Sequence, residues 1–183
     1  MMGFRGEGGE VLEDQTFSFR NVMEGAYRFR IFLPPANLYL KSASVQGQDA
    51  LEQAFEIRNG EKVTGAEIVL SANGGELTGV VKQEENGEAV KGASIVLFSA
   101  DPSRQGPRSR WTRTTQSDQQ GSFQLRGLAP GKYLVCALLN HEAGAESLSD
   151  YLQELAKNAK TVSIRPRTKL SESLLVQPAP RVE

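Results

Sequence analysis

The sequence is short of the residues that carry most protein chemistry. Its 183 residues contain one cysteine and one histidine. No intrachain disulfide can form, and no zinc site built only from Cys and His can be assembled. Metal sites made of Asp and Glu, and catalysis without histidine, survive that arithmetic. There is no excess charge of either sign. Lys+Arg number 21 and Asp+Glu 22, for a net charge of -1. Bulk attraction to nucleic acid or to anionic lipid therefore has no support. No run approaches the roughly 18 uninterrupted apolar residues of a membrane span. The first residues, MMGFRGEGGEVLEDQ, place acids and glycines where a signal peptide needs an apolar stretch.

What is present is an internal similarity. Phe17-Ser-Phe-Arg-Asn-Val-Met-Glu-Gly-Ala-Tyr-Arg-Phe recurs without a gap as Phe123-Gln-Leu-Arg-Gly-Leu-Ala-Pro-Gly-Lys-Tyr-Leu-Val. Phe17 matches Phe123, Phe19 matches Leu125, Arg20 matches Arg126, Gly25 matches Gly131, and Tyr27 matches Tyr133. Residues 63–70 and 169–176 extend the match more loosely. The unit is β, because Tyr27, Phe29 and Ile31 alternate with Arg28 and Arg30, as in a strand with one buried face. Further strands are expected at Leu38–Val45, Phe55–Arg58, Glu67–Leu70, Glu76–Lys82, Ala93–Ser99, Trp111–Gln116, Lys132–Leu139, Thr161–Ile164 and Ser173–Val176, with a turn at Asn86-Gly87. Many short strands with frequent turns predict a sandwich.

One helix is expected from Ser147 to Lys160. Leu148, Tyr151, Leu152, Leu155 and Ala159 share one face there, with Ser147 or Ser149 as the cap. The strand before it is apolar on both sides, at Tyr133, Val135 and Ala137 and again at Leu134, Cys136 and Leu138. A strand apolar on both faces is covered on both faces. The helix is therefore expected to lie over the second set and to bury Cys136.

The two copies are unequal. The second has strands near Gly75 and Ser94 before its Phe-x-Leu core, and only sixteen residues precede Phe17. The reading divides the chain into 1–72, an N-terminally incomplete copy, and 73–183, a complete one. Residues around Phe17, Phe19 and Tyr27 are expected to leave an exposed apolar face.

Four spaced motifs, Gly75-Glu-Leu-Thr-Gly-Val-Val, Val90-Lys-Gly-Ala-Ser-Ile-Val-Leu, Thr115-Gln-Ser-Asp118-Gln-Gln-Gly121-Ser-Phe123 and Leu128-Ala-Pro-Gly131-Lys-Tyr133, resemble the carboxypeptidase regulatory-like domain. That resemblance implies an all-β fold: tandem transthyretin-like, Ig-like Greek-key sandwiches of the carbohydrate-binding-like group, the second holding one short crossover helix. It implies a non-catalytic accessory module of a larger secreted or cell-envelope bacterial protein, extracytoplasmic, without cofactors. Its partners would be neighbouring domains of a longer chain, without nucleic acid or membrane insertion. A weak carbohydrate-binding module is the alternative, with glycan as partner, and a fragment of a peptidase-associated protein comes after it. Related sandwich adhesins join Lys to Asn by isopeptide bonds. Lys82 is placed near such a position, but residues 169–176 contain no Asn.

Candidate chemistry is sparse. Asp118 and Gly121 read as a tight turn delivering Phe123 to the core, rather than as a calcium site, because Gln119 and Gln120 replace acidic neighbours. Gly25, Tyr27, Gly131 and Tyr133 read as structural, the tyrosines finding backbone partners for their hydroxyls. His141 beside Glu142 reads as a solvated loop histidine. Arg104, Arg108, Arg110, Trp111 and Arg113 form the densest stretch that could contact a sugar, phosphate or protein. The competing reading folds Trp111 against the sandwich edge.

Overall fold

The computed structural model describes residues 10–11, 13–29, 38–107 and 109–181. The described residues are all-β with one α-helix, and the chain divides into two compact units. One comprises residues 1–29 and 42–68, the other 30–41 and 69–183.

In the first unit β1 (Glu10–Val11) pairs antiparallel with β2 (Phe17–Ser18), and β3 (Gly25–Tyr27) pairs with β6 (Phe55–Ile57). A further sheet runs β5 (Gln48–Asp49), β4 (Tyr39–Val45), β7 (Ala66–Ser71). The β4–β5 turn is Gln46-Gly47, both at positive φ, a shape that matches the twist of a two-residue hairpin. This turn and the short β5 and β1 were not anticipated. The expected strand through Phe29 stops at Tyr27, and Ile31 lies outside the described residues.

The second unit contains β8 (Gly75–Lys82), β9 (Ser94–Ser99), β10 (Arg113–Gln116), β11 (Ser122–Leu128), β12 (Gly131–Leu139), α1 (Ser149–Ala156), β13 (Lys160–Ile164) and β14 (Lys169–Pro178). Strand order is β10-β9-β12-β14-β8-β11, with β13 on β12. The long β14 runs parallel to β8 from Lys169 to Leu175 and then parallel to β12 at Ala137–Leu139. It thus joins the two layers of the sandwich. The Asn86-Gly87 turn is present, closed by the bond from Gln83 N to Glu88 O at 2.8 Å.

Alternation fills two cores. Ile95 and Leu97 of β9 and Tyr133, Val135 and Ala137 of β12 face Leu77, Val81, Phe123, Leu125 and Leu174 inside the sandwich. The intervening residues, Val96, Phe98, Cys136 and Leu138, form a second cluster with Ala145, Tyr151, Leu152 and Leu155, and Leu134 packs at its margin. The helix therefore covers the outer face of β12 as expected. It is shorter than the periodicity predicted. A 3-10 turn at Ala145–Ser147 precedes eight α-helical residues, and the N-cap is Leu148 with no side-chain cap bond. Leu148 is exposed and leaves the apolar stripe, because the cap position precedes the first helical turn.

Candidate functional site

The basic segment begins with a capped turn. Asp101 accepts hydrogen bonds from Ser103 N at 3.0 Å and Ser103 Oγ at 2.7 Å, which hold its carboxyl below the usual range. Gln105 Nε2 donates to Ser99 O at 2.8 Å and ties the loop to the end of β9. Arg104 and Arg110 both place their guanidinium carbons over the Trp111 ring, 4.5 and 4.1 Å from its centroid. Trp111 is 7 % exposed, belongs to the inner core, and lies 6.0 Å from the Tyr133 ring. Cation–π contact of this kind favours guanidinium because its flat cation is weakly hydrated. Arg110 Nη1 also donates to Leu40 O at 3.1 Å.

Arg113, in β10, donates from Nη1 to Thr112 O at 3.1 Å, and burial lowers its pKa. Arg110 and Arg113 border a cavity of about 20 Å³, room for about one water and far too small for a sugar ring. Arg108 lies outside the described residues. Arg104, Arg110 and Trp111 are thus brought together, with the ring engaged by the protein's own cations.

Asp118 completes its turn locally. Oδ1 accepts from Gln120 N at 2.9 Å and from Ser122 N at 2.8 Å. Gly121 has φ +73, and a Cβ there would stand 2.8 Å from Val81 O. The turn thus needs glycine for conformation and for space. It delivers Phe123 to the core, 5 % exposed. Tyr133 Oη donates to Ala129 O at 2.7 Å, and Tyr27 Oη donates to Met23 O at 2.6 Å, both four residues back. Gly25 and Gly131 open the two strands that carry these rings.

The solvated reading of His141 is overturned. Its side chain is 5 % exposed. Nδ1 lies 2.7 Å from Tyr151 Oη, and Nε2 lies 3.1 Å from Glu146 Oε2. Both ring nitrogens are thus within hydrogen-bond distance of a polar partner. Glu146 Oε2 also accepts from Gly144 N at 2.8 Å. The trio pins the loop after β12 to α1. Sequence reasoning missed it because ten residues and a 3-10 turn separate His141 from Tyr151, with no periodic spacing to reveal the contact. Burial pushes the Tyr151 hydroxyl up to about 12 and the Cys136 thiol up to about 12. Both are therefore neutral near pH 7, and neither is a poised nucleophile. Among the described residues no group of three or more His, Cys, Asp or Glu could hold a metal ion. No helix among them is long and apolar enough to cross a membrane.

An open groove of about 550 Å³ runs beside β8, β10 and β11. Thr78, Thr115, Gln116, Gln124 and Ser171 line it with hydroxyl and amide groups, together with Asp118.

Residues 76–146 match the family model of the carboxypeptidase regulatory-like domain. No curated protein matches the chain. Among solved structures, the major pilin subunit BcpA of Bacillus cereus is similar at 20% identity and TM-score 0.38, covering 62% of this chain and 33% of that one. The C-terminal domain of the shaft pilin spaA from Lactobacillus rhamnosus GG is similar at 19% identity and TM-score 0.32, covering 56% of this chain and 95% of that one. A putative carbohydrate binding protein from Pseudomonas aeruginosa is similar at 14% identity and TM-score 0.33, covering 56% and 88%. This chain spans about a third of the length of the BcpA pilin. Four motifs in order and the sandwich they build thus lie where residues 76–146, from β8 to the loop after β12, are similar to the carboxypeptidase regulatory-like domain.

Proposed function

We propose that this protein is a non-catalytic structural module of a larger secreted or cell-envelope bacterial protein, serving to space or present its neighbours. The observation that carries the reading is that the chemistry-bearing side chains of the second unit are engaged internally. Trp111 lies under Arg104 and Arg110, His141 lies between Tyr151 and Glu146, Cys136 is buried beneath α1, and Asp118 closes its own turn. A nucleophile–base pair needs a reactive group in reach of both its base and a substrate, and these groups are committed to packing. Residues 1–72 fit the reading as a partial repeat and 73–183 as a complete module. In support, β3–β6 and β12–β13 share one register: Gly25 faces Ile57 as Gly131 faces Ile164, and Tyr27 faces Phe55 as Tyr133 faces Val162. Fractionating cells that produce the native protein tests the location. Recovery in the envelope or medium is expected, and exclusive recovery in the cytosol overturns it.

The groove favours a second reading, weak carbohydrate binding. Its hydroxyl and amide walls suit a neutral saccharide better than an anion. Glycan-array binding lost on Gln116→Ala with Gln124→Ala, and kept on Arg104→Ala with Arg113→Ala, would establish that reading in the groove. Loss on the arginine changes alone would move the contact to the basic segment.

A further inference from the structure

We infer that the small cavity bordered by Arg110 and Arg113 is a binding site for one chloride ion, held by the Arg113 guanidinium. The cavity belongs to the second unit, which contributes every residue of its walls. Tyr39 and Leu40 line it together with the two arginines, Ala129 and Tyr133. Arg113 carries five N–H donors and keeps its charge at any pH a folded protein meets. Among the described residues its hydrogen bond is from Nη1 to Thr112 O at 3.1 Å, and no Asp or Glu forms an ion pair with it. Burial is the largest influence on this half-buried group and disfavours its charge, and the neighbouring Arg110 cation adds to that. A cation drawn out of water without a counter-charge is costly, and a paired one is much less so.

The protein's own groups do not supply that counter-charge. No carboxylate lines the cavity. The nearest acid in the basic segment, Asp101, is engaged by Ser103 and stands 3.6 Å from Arg104. Tyr133 could oppose Arg113 only as a phenolate, and burial raises its pKa, so it stays neutral near pH 7. Its hydroxyl proton goes to Ala129 O at 2.7 Å. The Leu40 carbonyl is likewise taken, by Arg110 Nη1 at 3.1 Å. Donors are therefore in surplus at the cavity and acceptors are spent. A water molecule there would satisfy a donor without neutralising the charge. Size then selects the anion. About 20 Å³ holds about one water, and chloride is a single atom little wider than water. Sulfate, phosphate and carboxylates are too large for the space. The ion would join the Tyr39–Leu40 segment, the basic segment and β12 around one charge.

The test uses the full chain in sodium chloride and reads the chlorine NMR linewidth, which broadens when the ion exchanges onto a protein site. Excess broadening is expected with the native chain. Added bromide is expected to reverse it, and sulfate at equal ionic strength to compete at least tenfold less well. Arg113→Gln is expected to reduce the broadening at least fivefold. Arg113→Lys keeps the charge and loses the planar fork, and is expected to reduce it at least twofold. Arg165→Gln, at an exposed arginine away from the cavity, is expected to leave it unchanged. Circular dichroism checks the fold of each variant, and the lysine variant carries the test if the glutamine variant does not fold. No excess broadening with the native chain would mean that the cavity takes only water, which overturns the inference. Unchanged broadening in a folded Arg113 variant also overturns it. So does equal competition by sulfate, or an equal loss on Arg165→Gln, since either would assign the effect to diffuse attraction at the surface.

Discussion

Two tyrosines, Tyr27 and Tyr133, sit in the same local structure and in different surroundings. Each donates its hydroxyl to the carbonyl four residues back, at 2.6 and 2.7 Å, and each begins from a turn glycine paired in one register. Yet Tyr133 lies in a core closed by β8, β9 and β14, while Tyr27 is half-buried beside an aromatic cluster of Phe17, Phe19, Phe29 and Phe55, whose four rings are all at least partly exposed. Thirteen residues are enough to specify turn, register and tyrosine bond, because those bonds are local. Burial is different. It depends on strands far away in sequence, and most of the free energy of a sandwich comes from that burial.

The contrast is broken or sharpened most strongly at the paired phenylalanines. Phe123→Ala is expected to cost about 3–5 kcal/mol, because a buried ring is removed from a packed interior. Phe17→Ala, at a half-buried ring, is expected to cost about 1 kcal/mol or less. Urea unfolding followed by Trp111 fluorescence reads the first, since Trp111 lies in the core that Phe123 fills. Hydrogen exchange over residues 13–29 reads the second. Equal losses would show that the first unit is as well covered as the second.

The helix supplies the next test, because only the second unit has one among the described residues. Leu152 is fully buried against Val96, Phe98, Cys136 and Leu138. Leu152→Ala is expected to cost about 2–5 kcal/mol and to speed labelling of Cys136 by a thiol reagent. Fast labelling of the native chain would mean that α1 does not stay docked.

Much of this was legible in the sequence, and the reasons are physical. Alternation marked the strands of the second unit to within a few residues, since most of them have a face against the inner core. The doubly apolar run at Leu134, Cys136 and Leu138 predicted the helix above it, because water does not face six consecutive apolar residues in a strand. The helix length was overestimated, because periodicity at Leu148 and Ala159 does not distinguish a helical turn from a cap or an exit. The candidate sites were less legible. Composition placed Arg104, Arg110 and Trp111 together, but whether cations present a ring or cover it depends on backbone geometry. The His141–Tyr151–Glu146 contact is tertiary and carries no periodic signal. In the first unit, Phe19 matches Leu125 in sequence but is expected on an exposed face, and it is 43 % exposed, because a side chain's burial belongs to its neighbours rather than to its own sequence.

A smaller effect follows from the covered face. The Cys136 thiol has an ordinary pKa of 9.0 and is pushed up to about 12 by burial. As pH rises past 9 the unfolded chain releases this proton and the folded chain keeps it. The unfolded state then binds fewer protons, so stability falls as pH rises from about 9 to 12. The thiol accounts for about 1.4 kcal/mol per pH unit across that window. Stability below pH 9 is unaffected by this group. Cys136→Ala is expected to flatten the alkaline decline by that amount relative to the native protein. The first unit contains no cysteine, so the change should be absent from exchange at residues 13–29. An unchanged slope would mean that the thiol reaches water.

The smallest expected difference returns to the two tyrosines. Tyr133→Phe keeps the ring and removes the hydroxyl that donates to Ala129 O. Tyr133 is 2 % exposed, and burial raises its pKa despite the nearby Arg113, so its hydroxyl sits where water is scarce. Removing the donor leaves a carbonyl without its partner, which costs more than the net worth of an ordinary hydrogen bond. A loss of about 1–2 kcal/mol is expected, read from Trp111 fluorescence in urea. Tyr27→Phe removes the same bond, of nearly the same length, from an exposed setting. The Met23 carbonyl can then take a hydrogen bond from water, and a loss of about 0.5 kcal/mol or less is expected. Equal losses for the two substitutions would mean that the difference between the corners does not arise from burial.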